Sequence, residues 1–463
     1  MLPAHTSPHL DSWRLPAPLP SDHGLPVLAT VDIVVVGAGA AGVAAATTAA
    51  EHGARVLLVE KYGFAGGAAV AGMSGTICGL YLAHEEPADV PTQIVHGFAE
   101  RFRGELAARG GLTPPQRYGK TFTVAHDPLM WREAADDLLT AAGVRVLLHT
   151  TVSRVIAEEG RCLGVALLST AGEVAVHASR IIDASGDAAV ISQLGGEYHF
   201  GDDGRIQNPT MFFRLGGVNT DAFWSAFGDD TICPPWVTER IRARRDAGAD
   251  LPREKIWVFR TPRAGELMVN ATRLAAADGR VLNVVDPEDF TYAEVHGRRQ
   301  VRAYERFLRQ EVPGCADAFV VDTGVEVGIR QTRSIRSTDD LTNDDVVTAR
   351  KRDDGICRSP WPIELHDGPR PRLHWLLDDY YDVPLGALIP QDGENVLVAG
   401  RCLGADHEAL ASARVTAQCF EYGAAAAFAA VHSLDADVPL REVPVDTVRR
   451  FMTAAGSTID HAR

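Results

Sequence analysis

Two stretches hold most of the side chains able to do chemistry. In AGRCLGADHEALASAR (399–414), Cys402, Asp406, His407 and Glu408 lie between Gly400 and Ser412. His407 and Glu408 begin like the H-E-x-x-H pair of a zinc site. Ala411 stands where the second histidine is needed, so no metal is expected. Cys402 has no neighbour placed to take its proton, and we read it as a buried apolar residue. The second stretch, VEVGIRQTRSIR (325–336), carries Arg330, Arg333 and Arg336. Val325, Val327 and Ile329 alternate as in a strand, which puts Arg330 and Arg336 on one face. Arginine grips a carboxylate through two parallel hydrogen bonds; in an acidic chain an internal ion pair is the competing use. His407 and His366, the latter followed by Asp367, suit proton transfer near neutral pH. Tyr381, beside Tyr380, completes the catalytic candidates, against the commoner use of such tyrosines as core or wall.

A third stretch acts through its backbone. In DIVVVGAGAAGVAAATTAAEHGARVLLVEK (32–61), an apolar β-branched run ends in Gly37, Gly39 and Gly42. This G-x-G-x-x-G joins a buried parallel strand to a helix of small residues. Gly37 permits the tight turn, Gly39 lets backbone approach a pyrophosphate, and Gly42 lets helix and strand pack closely. The helix start at Ala40 and Ala41 offers unpaired N–H groups and partial positive charge to phosphates. A second strand ends at Glu60, placed to accept hydrogen bonds from a ribose, with Lys61 next to it. The expectation is a dinucleotide site.

Other elements must complete the sheet that positions these groups. A helix is expected from Asp127 to Gly143, followed by RVLLHTTV (145–152) as a further parallel strand and then a pair of hairpin strands. RIIDASGDAAV (180–190) reads as a strand and turn, and NVLVA (395–399) as a late strand ending at Gly400. The sheet therefore draws on both ends of the chain. Between about 195 and 385, short strands and the charged helical run TYAEVHGRRQVRAYERFLRQ suit a second, inserted domain.

Composition narrows the class. The chain has 463 residues, 46% of them hydrophobic and 23% charged, as in an ordinary globular protein with more than one core. Its net charge of -16 argues against nucleic acid or an anionic membrane as the main partner. The seven cysteines include no CxxC pair, as expected of a cytoplasmic protein. The proline-rich first 30 residues lack a signal-peptide core, and no run approaches the roughly 20 apolar residues of a membrane span. A homo-oligomer is left open.

Together the blocks DIVVVGAGAAG, IIDASGD, GVEVGIRQTRSI, SPWPIELHDG, VPLGALIP and NVLVAGRCLGADHEALASARV resemble the FAD-dependent oxidoreductase family. That family includes xanthan-lyase-associated flavoproteins and is similar to the flavin subunit of heterodisulfide reductases. The likeness runs from Asp32 to about Gly456. It implies an α/β fold: a Rossmann-like FAD-binding domain (parallel sheet plus β-meander) with an inserted α+β substrate domain. The expected division is an extended arm over 1–30, an FAD-binding domain over 31–80, 120–195 and 390–463, and a cap over 81–119 and 196–389. The resemblance favours FAD over NAD because a glycine pair, Gly66 and Gly67, follows the acidic strand. It adds Val152 beside the adenine, Ala184, Ser185, Gly186 and Asp187 at the returning strand, and Gly400 and Arg401 at the last. It places the amides of Ala411 and Ser412 at the flavin pyrimidine, with Arg414 in a structural or flavin-supporting role. In AGGAAVAG, relatives often carry a hydroxyl residue after the glycine pair.

No second G-x-G-x-x-G, no CxxxxC pair and no iron–sulfur cysteine run occurs, which argues against disulfide-reductase and electron-bifurcating chemistry. The implied activity is oxidation or dehydrogenation of a small organic substrate by hydride transfer to flavin N5. The electron acceptor (oxygen, a quinone or a protein) is left open. The competing readings are an electron-transfer subunit of a larger complex and a non-redox FAD-binding protein.

Overall fold

The computed structural model of the chain describes residues 15–21, 23–86, 90–368 and 370–460. The first strand, Val27–Val36, is β-branched over most of its length and lies between Val56–Val59 and Gly172–Asp183, parallel to both. It begins inside the stretch expected to be an arm, because residues from Val27 onward find ladder partners along Gly172–Asp183. Of the expected arm, residues 1–14 and 22 lie outside the described residues. Leu19 lies against the strand Thr151–Glu158, its N–H donating to the Val155 carbonyl.

The main sheet has seven strands. Arg145–Leu147 extends the parallel set beyond Val56–Val59, and Thr151–Glu158, Arg161–Ser169 and Gly172–Asp183 form the antiparallel meander. The strand Gly172–Asp183 serves both: its first half pairs with Arg161–Ser169, and Ile181–Asp183 pair in parallel with Val396–Val398. The late strand thus enters the same sheet beside Gly172–Asp183, so the sheet draws on both ends of the chain, as the sequence predicts.

Small side chains let two helices share one side of this sheet. Ala40–Glu51 starts at Gly39, and Thr416–Asp435 crosses it. A Cβ on Gly423 would lie 2.1 Å from the Ala41 carbonyl oxygen, so the crossing requires glycine there. Ala44, Ala45 and Ala46 on one helix and Ala425, Ala426 and Ala427 on the other are fully buried. The helix Pro128–Ala141 is capped by Asp127, whose carboxylate accepts from the Leu129 and Met130 amides.

A second core forms over a four-stranded antiparallel sheet ordered Trp257–Arg260, Leu267–Asn270, Phe213–Gly216, Phe319–Thr323. The helix Pro287–Glu311, the charged run of the sequence, buries Val301, Tyr304, Phe307 and Leu308 in that core.

Three expectations need correction. The helix Phe98–Ala108 falls in the stretch assigned to the cap, yet Phe102 packs on Trp131 and Phe420 in the first core. Leu341, Ile356, Val383 and Leu388 join the same core, so packing does not follow the expected break near 389. The alternating run from Val325 to Ile329 is not a strand; it makes a single bridge, Thr210 to Gly328. Gly324 and Gly328 hold it close against Ala71 and Thr210, where a side chain would collide or crowd. Among the described residues no helix is long and apolar enough to cross a membrane.

Candidate FAD and substrate cleft

A single cleft runs from the glycine-rich turn to the second sheet. Its floor is backbone. Gly37 has φ +95°, and a Cβ there would lie 2.7 Å from the Ala184 carbonyl oxygen. A Cβ on Gly42 would lie 1.8 Å from the Gly37 carbonyl oxygen, so Gly42 seats the helix on the turn and does not itself line the cleft. Gly39 caps the helix Ala40–Glu51 with no side-chain partner, leaving its first amides for a ligand. The second glycine pair closes over it: the Gly66 amide donates to the Ala38 carbonyl at 2.8 Å, and a Cβ on Gly67 would lie 2.8 Å from the Gly39 Cα. The cradle therefore fits a pyrophosphate that side chains would displace.

Acidic groups frame this floor. Glu60 is 6% exposed and accepts from the Ala38 amide at 2.7 Å and the Tyr62 amide at 2.9 Å. Burial pushes its carboxyl above the ordinary value despite those two amides. Lys61 pairs with Glu326 at 3.0 Å. Asp183 holds the returning turn: it accepts from the Ser185 hydroxyl at 2.6 Å and the Val190 amide at 2.8 Å. Asp187 pairs with Arg401 at 2.9 Å and accepts from the Thr332 hydroxyl at 2.6 Å. Burial would raise Asp187, but Arg401, Thr332 and Lys61 outweigh it and leave the carboxyl below its usual range. Ala184, Ser185, Gly186, Gly400 and Arg401 all line the cleft.

The wall of the second sheet is aromatic and charged. Tyr118, Phe212, Phe259 and Trp361 line it, with Glu364, His366, Arg330 and Arg414 among them. Glu364 accepts from the Tyr118 hydroxyl at 2.7 Å and lies 3.3 Å from His366 Nε2. Burial would raise Glu364, yet His366, Tyr118 and Arg414 lower it to about 2. Burial, reinforced by Arg330, holds His366 well below its ordinary value, with Glu364 pulling the other way. Near neutral pH the pair is a carboxylate and a neutral imidazole. An imidazole that donates Nε2–H to Glu364 keeps its Nδ1 lone pair as a proton acceptor.

The other candidates fall elsewhere. His407 begins the short helix His407–Ala413 and does not line the cleft; its neighbours are Gly201, Asp202 and Glu408. Tyr381 is fully buried, and its hydroxyl lies 2.8 Å from Ser412 Oγ in the wall behind. Ala411 and Ser412 are fully buried near the end of that short helix, and the Ser412 hydroxyl donates to the Trp361 carbonyl. The chain turns again before the long helix Thr416–Asp435, so Arg414, Val415 and Thr416 reach the cleft in their place. Val152 lies on the meander, paired with Leu167, away from the lining. Cys402 is buried, its thiol directed to the Asp183 carbonyl, and burial pushes it up. Sequence reasoning missed Tyr118, Trp361 and Glu364. Glu364 carried a usable signal: it stands two residues before His366 in an apolar run that reads as a strand, a spacing that puts both on one face; the strand itself spans Ile363–Leu365, and His366 directly follows it.

Residues 32–452 match the family described as FAD dependent oxidoreductase, and the chain belongs to that family. Among curated relatives, the thiamine thiazole synthase of Aeropyrum pernix is 31% identical over 173 residues, 35% of this chain and 57% of that protein. The urocanate reductase of Eggerthella lenta is 68% identical over 37 residues, 8% of this chain and 6% of that one. The match thus spans little more than half of the first relative and a small part of the second. Among solved structures, a geranylgeranyl bacteriochlorophyll reductase-like protein of Thermoplasma acidophilum aligns over 92% of this chain and 82% of its own, at 15% identity and TM-score 0.45. The myxobacterial chondrochloren halogenase aligns over 93% and 84%, at 15% identity and TM-score 0.47.

Proposed function

We propose that the chain is an FAD-dependent dehydrogenase or oxidase acting on a small organic molecule. FAD, when bound, would supply a two-electron acceptor at N5 for the hydride of a C–H bond, the proton leaving from the adjoining O–H, N–H or C–H as a C=O, C=N or C=C bond forms. Gly37, Gly39, Ala40 and Ala41, with Gly66 and Gly67, would hold the pyrophosphate, and Glu60 the ribose. Ala184 to Asp187, Gly400 and Arg401 would hold the remainder of the cofactor. One observation carries the reading: a buried neutral imidazole, fixed by a carboxylate, lines the same cleft as the glycine cradle. His366 would accept the proton that leaves with the hydride, Glu364 would hold the ring's orientation, and Tyr118 would hold Glu364. Tyr118, Phe259 and Trp361 would shield the reacting carbon from water.

The test is an anaerobic screen of small alcohols, amines and acids for loss of flavin absorbance on the FAD-loaded protein. Bleaching by at least one class, slowed about a hundredfold or more in His366→Ala, is the expected result. A protein that binds FAD but that no substrate class bleaches would refute the reading.

A further inference from the structure

The aromatic end of the cleft holds more positive charge than negative. Arg330 is 7% exposed, and its Nη1 donates to the Asn208 carbonyl at 2.7 Å. Arg414 donates from Nη2 to Gln207 Oε1 at 3.0 Å, while its Nε is buried without a partner. Arg253, 3% exposed, donates from Nη1 to Asn270 Oδ1 at 2.7 Å and leaves Nη2 without one. Among the described residues none of these arginines forms an ion pair. Glu364 is the carboxylate among them, and it is already engaged by Tyr118 and His366.

The unmet groups share one character. Arg414 Nε and Trp361 Nε1, on residues that line the cleft, are buried without partners; so are Arg253 Nη2, Gln207 Nε2 and Trp257 Nε1 on residues outside the lining, and all five are donors. Burying an unanswered cation costs several kcal/mol, and here it depresses Arg330 and Arg414, the latter to about 10. The internal ion pair that competed with ligand binding in the sequence reading is absent from Arg330. Bound FAD does not remove the excess: its negative charge is on the pyrophosphate, which the glycine cradle answers, and its oxidised ring is neutral. An anionic ligand does remove it.

We propose that this end of the cleft is a carboxylate subsite, in which Arg330 and Arg414 pair with the carboxylate of a small organic acid and Trp361 donates its indole N–H to it. Arg330 and Trp361 are held rigid by burial, so the donors are pre-organised. Arg253 does not line the cleft; it positions Asn270, which does. The rest of the acid faces Tyr118 and Phe259, rings stacked 6.3 Å apart, which favours an apolar or aromatic body. The assignment rests on the oxidation of a small organic substrate and names the class of that substrate.

The experiment titrates the FAD-loaded protein with benzoate, acetate and succinate, and with benzamide and acetamide as neutral counterparts. Ionic strength is held constant, and tryptophan fluorescence and flavin absorbance are read. At least one carboxylate is expected to saturate about tenfold or more tighter than its amide. Arg330→Met and Arg414→Met are expected to lose that preference with FAD retained, and Arg330→Lys to keep part of it. Amides binding as tightly as acids, or no carboxylate saturating, overturns the proposal. So does loss of FAD from the Arg330→Met and Arg414→Met proteins with acid preference intact, which would make these arginines cofactor ligands. Where a methionine variant does not fold, the acid–amide comparison on the native chain decides. Tight acid binding with no bleaching by any substrate sinks the oxidation reading and leaves the subsite standing; bleaching by neutral substrates without acid binding does the reverse.

Discussion

Glu364 and His366 owe their charge states to burial and to each other, so the pH dependence of the site follows from their environment. Burial and Arg330 hold His366 below its ordinary value, and Glu364 partly restores it. The acid limb of the kcat/KM profile should therefore lie below pH 6.5, the unperturbed imidazole value. Glu364→Gln removes the restoring charge and should move that limb further down, with kcat reduced; a limb that moves up removes His366 as the proton acceptor. His407→Ala should bleach with substrate at the wild-type rate, because His407 does not line the cleft. Gly42→Ala meets backbone 1.8 Å away and has no rotamer by which to escape. It should cost about 1–3 kcal/mol or more of stability together with FAD affinity, measured by urea unfolding and cofactor titration.

The glycine-rich turn, its helix, the acidic strand end and the late strand were legible before the structure because each is a local pattern: β-branched run, glycine spacing, alanine helix. The second wall was not. Tyr118, the Trp361–Glu364 stretch and Arg414 come from three separate segments, and no spacing rule joins those segments. The run from Val325 to Ile329 shows why period alone misleads, since Gly324 and Gly328 bring its backbone against other segments and prevent ladder pairing. Ala411 and Ser412 were misplaced by one turn of chain, because the break at Arg414 between the two helices leaves no mark in the apolar pattern. Helix docking has a readout of its own. Glu421, on the long helix, accepts from the Ala99 amide and the Ser457 hydroxyl, and burial raises its carboxyl to about 7 from 4.5. The native state keeps a proton that the unfolded chain releases, so this group lowers stability as pH rises from 4.5 through about 7. The effect is on the order of 3 kcal/mol, and Glu421→Gln should flatten that part of the stability–pH curve. Parallel curves for the two proteins would contradict it.

FAD and the two cores are coupled through the cleft between them. Floor and wall come from different sheets, so a ligand that fills the cleft joins both. Binding to the native state alone should add about 2.7 kcal/mol at a cofactor concentration a hundredfold above Kd, seen as a rise in Tm. A colourless protein whose Tm ignores FAD would contradict the cofactor assignment at its root. The acid preference belongs to the assembled wall and should vanish on unfolding of either sheet.

The crossing of Ala40–Glu51 by Thr416–Asp435 also has a temporal consequence. On the ribosome the first helix emerges well before the helix that covers its alanine face and the strand Val396–Val398, which follow only after the whole intervening region. At about 5–20 residues per second the nascent chain waits on the order of tens of seconds with that face bare. A complete nucleotide cradle has to wait for that strand and helix. The vulnerable interval for aggregation or chaperone capture is therefore set by translation speed as much as by the stability of the finished fold.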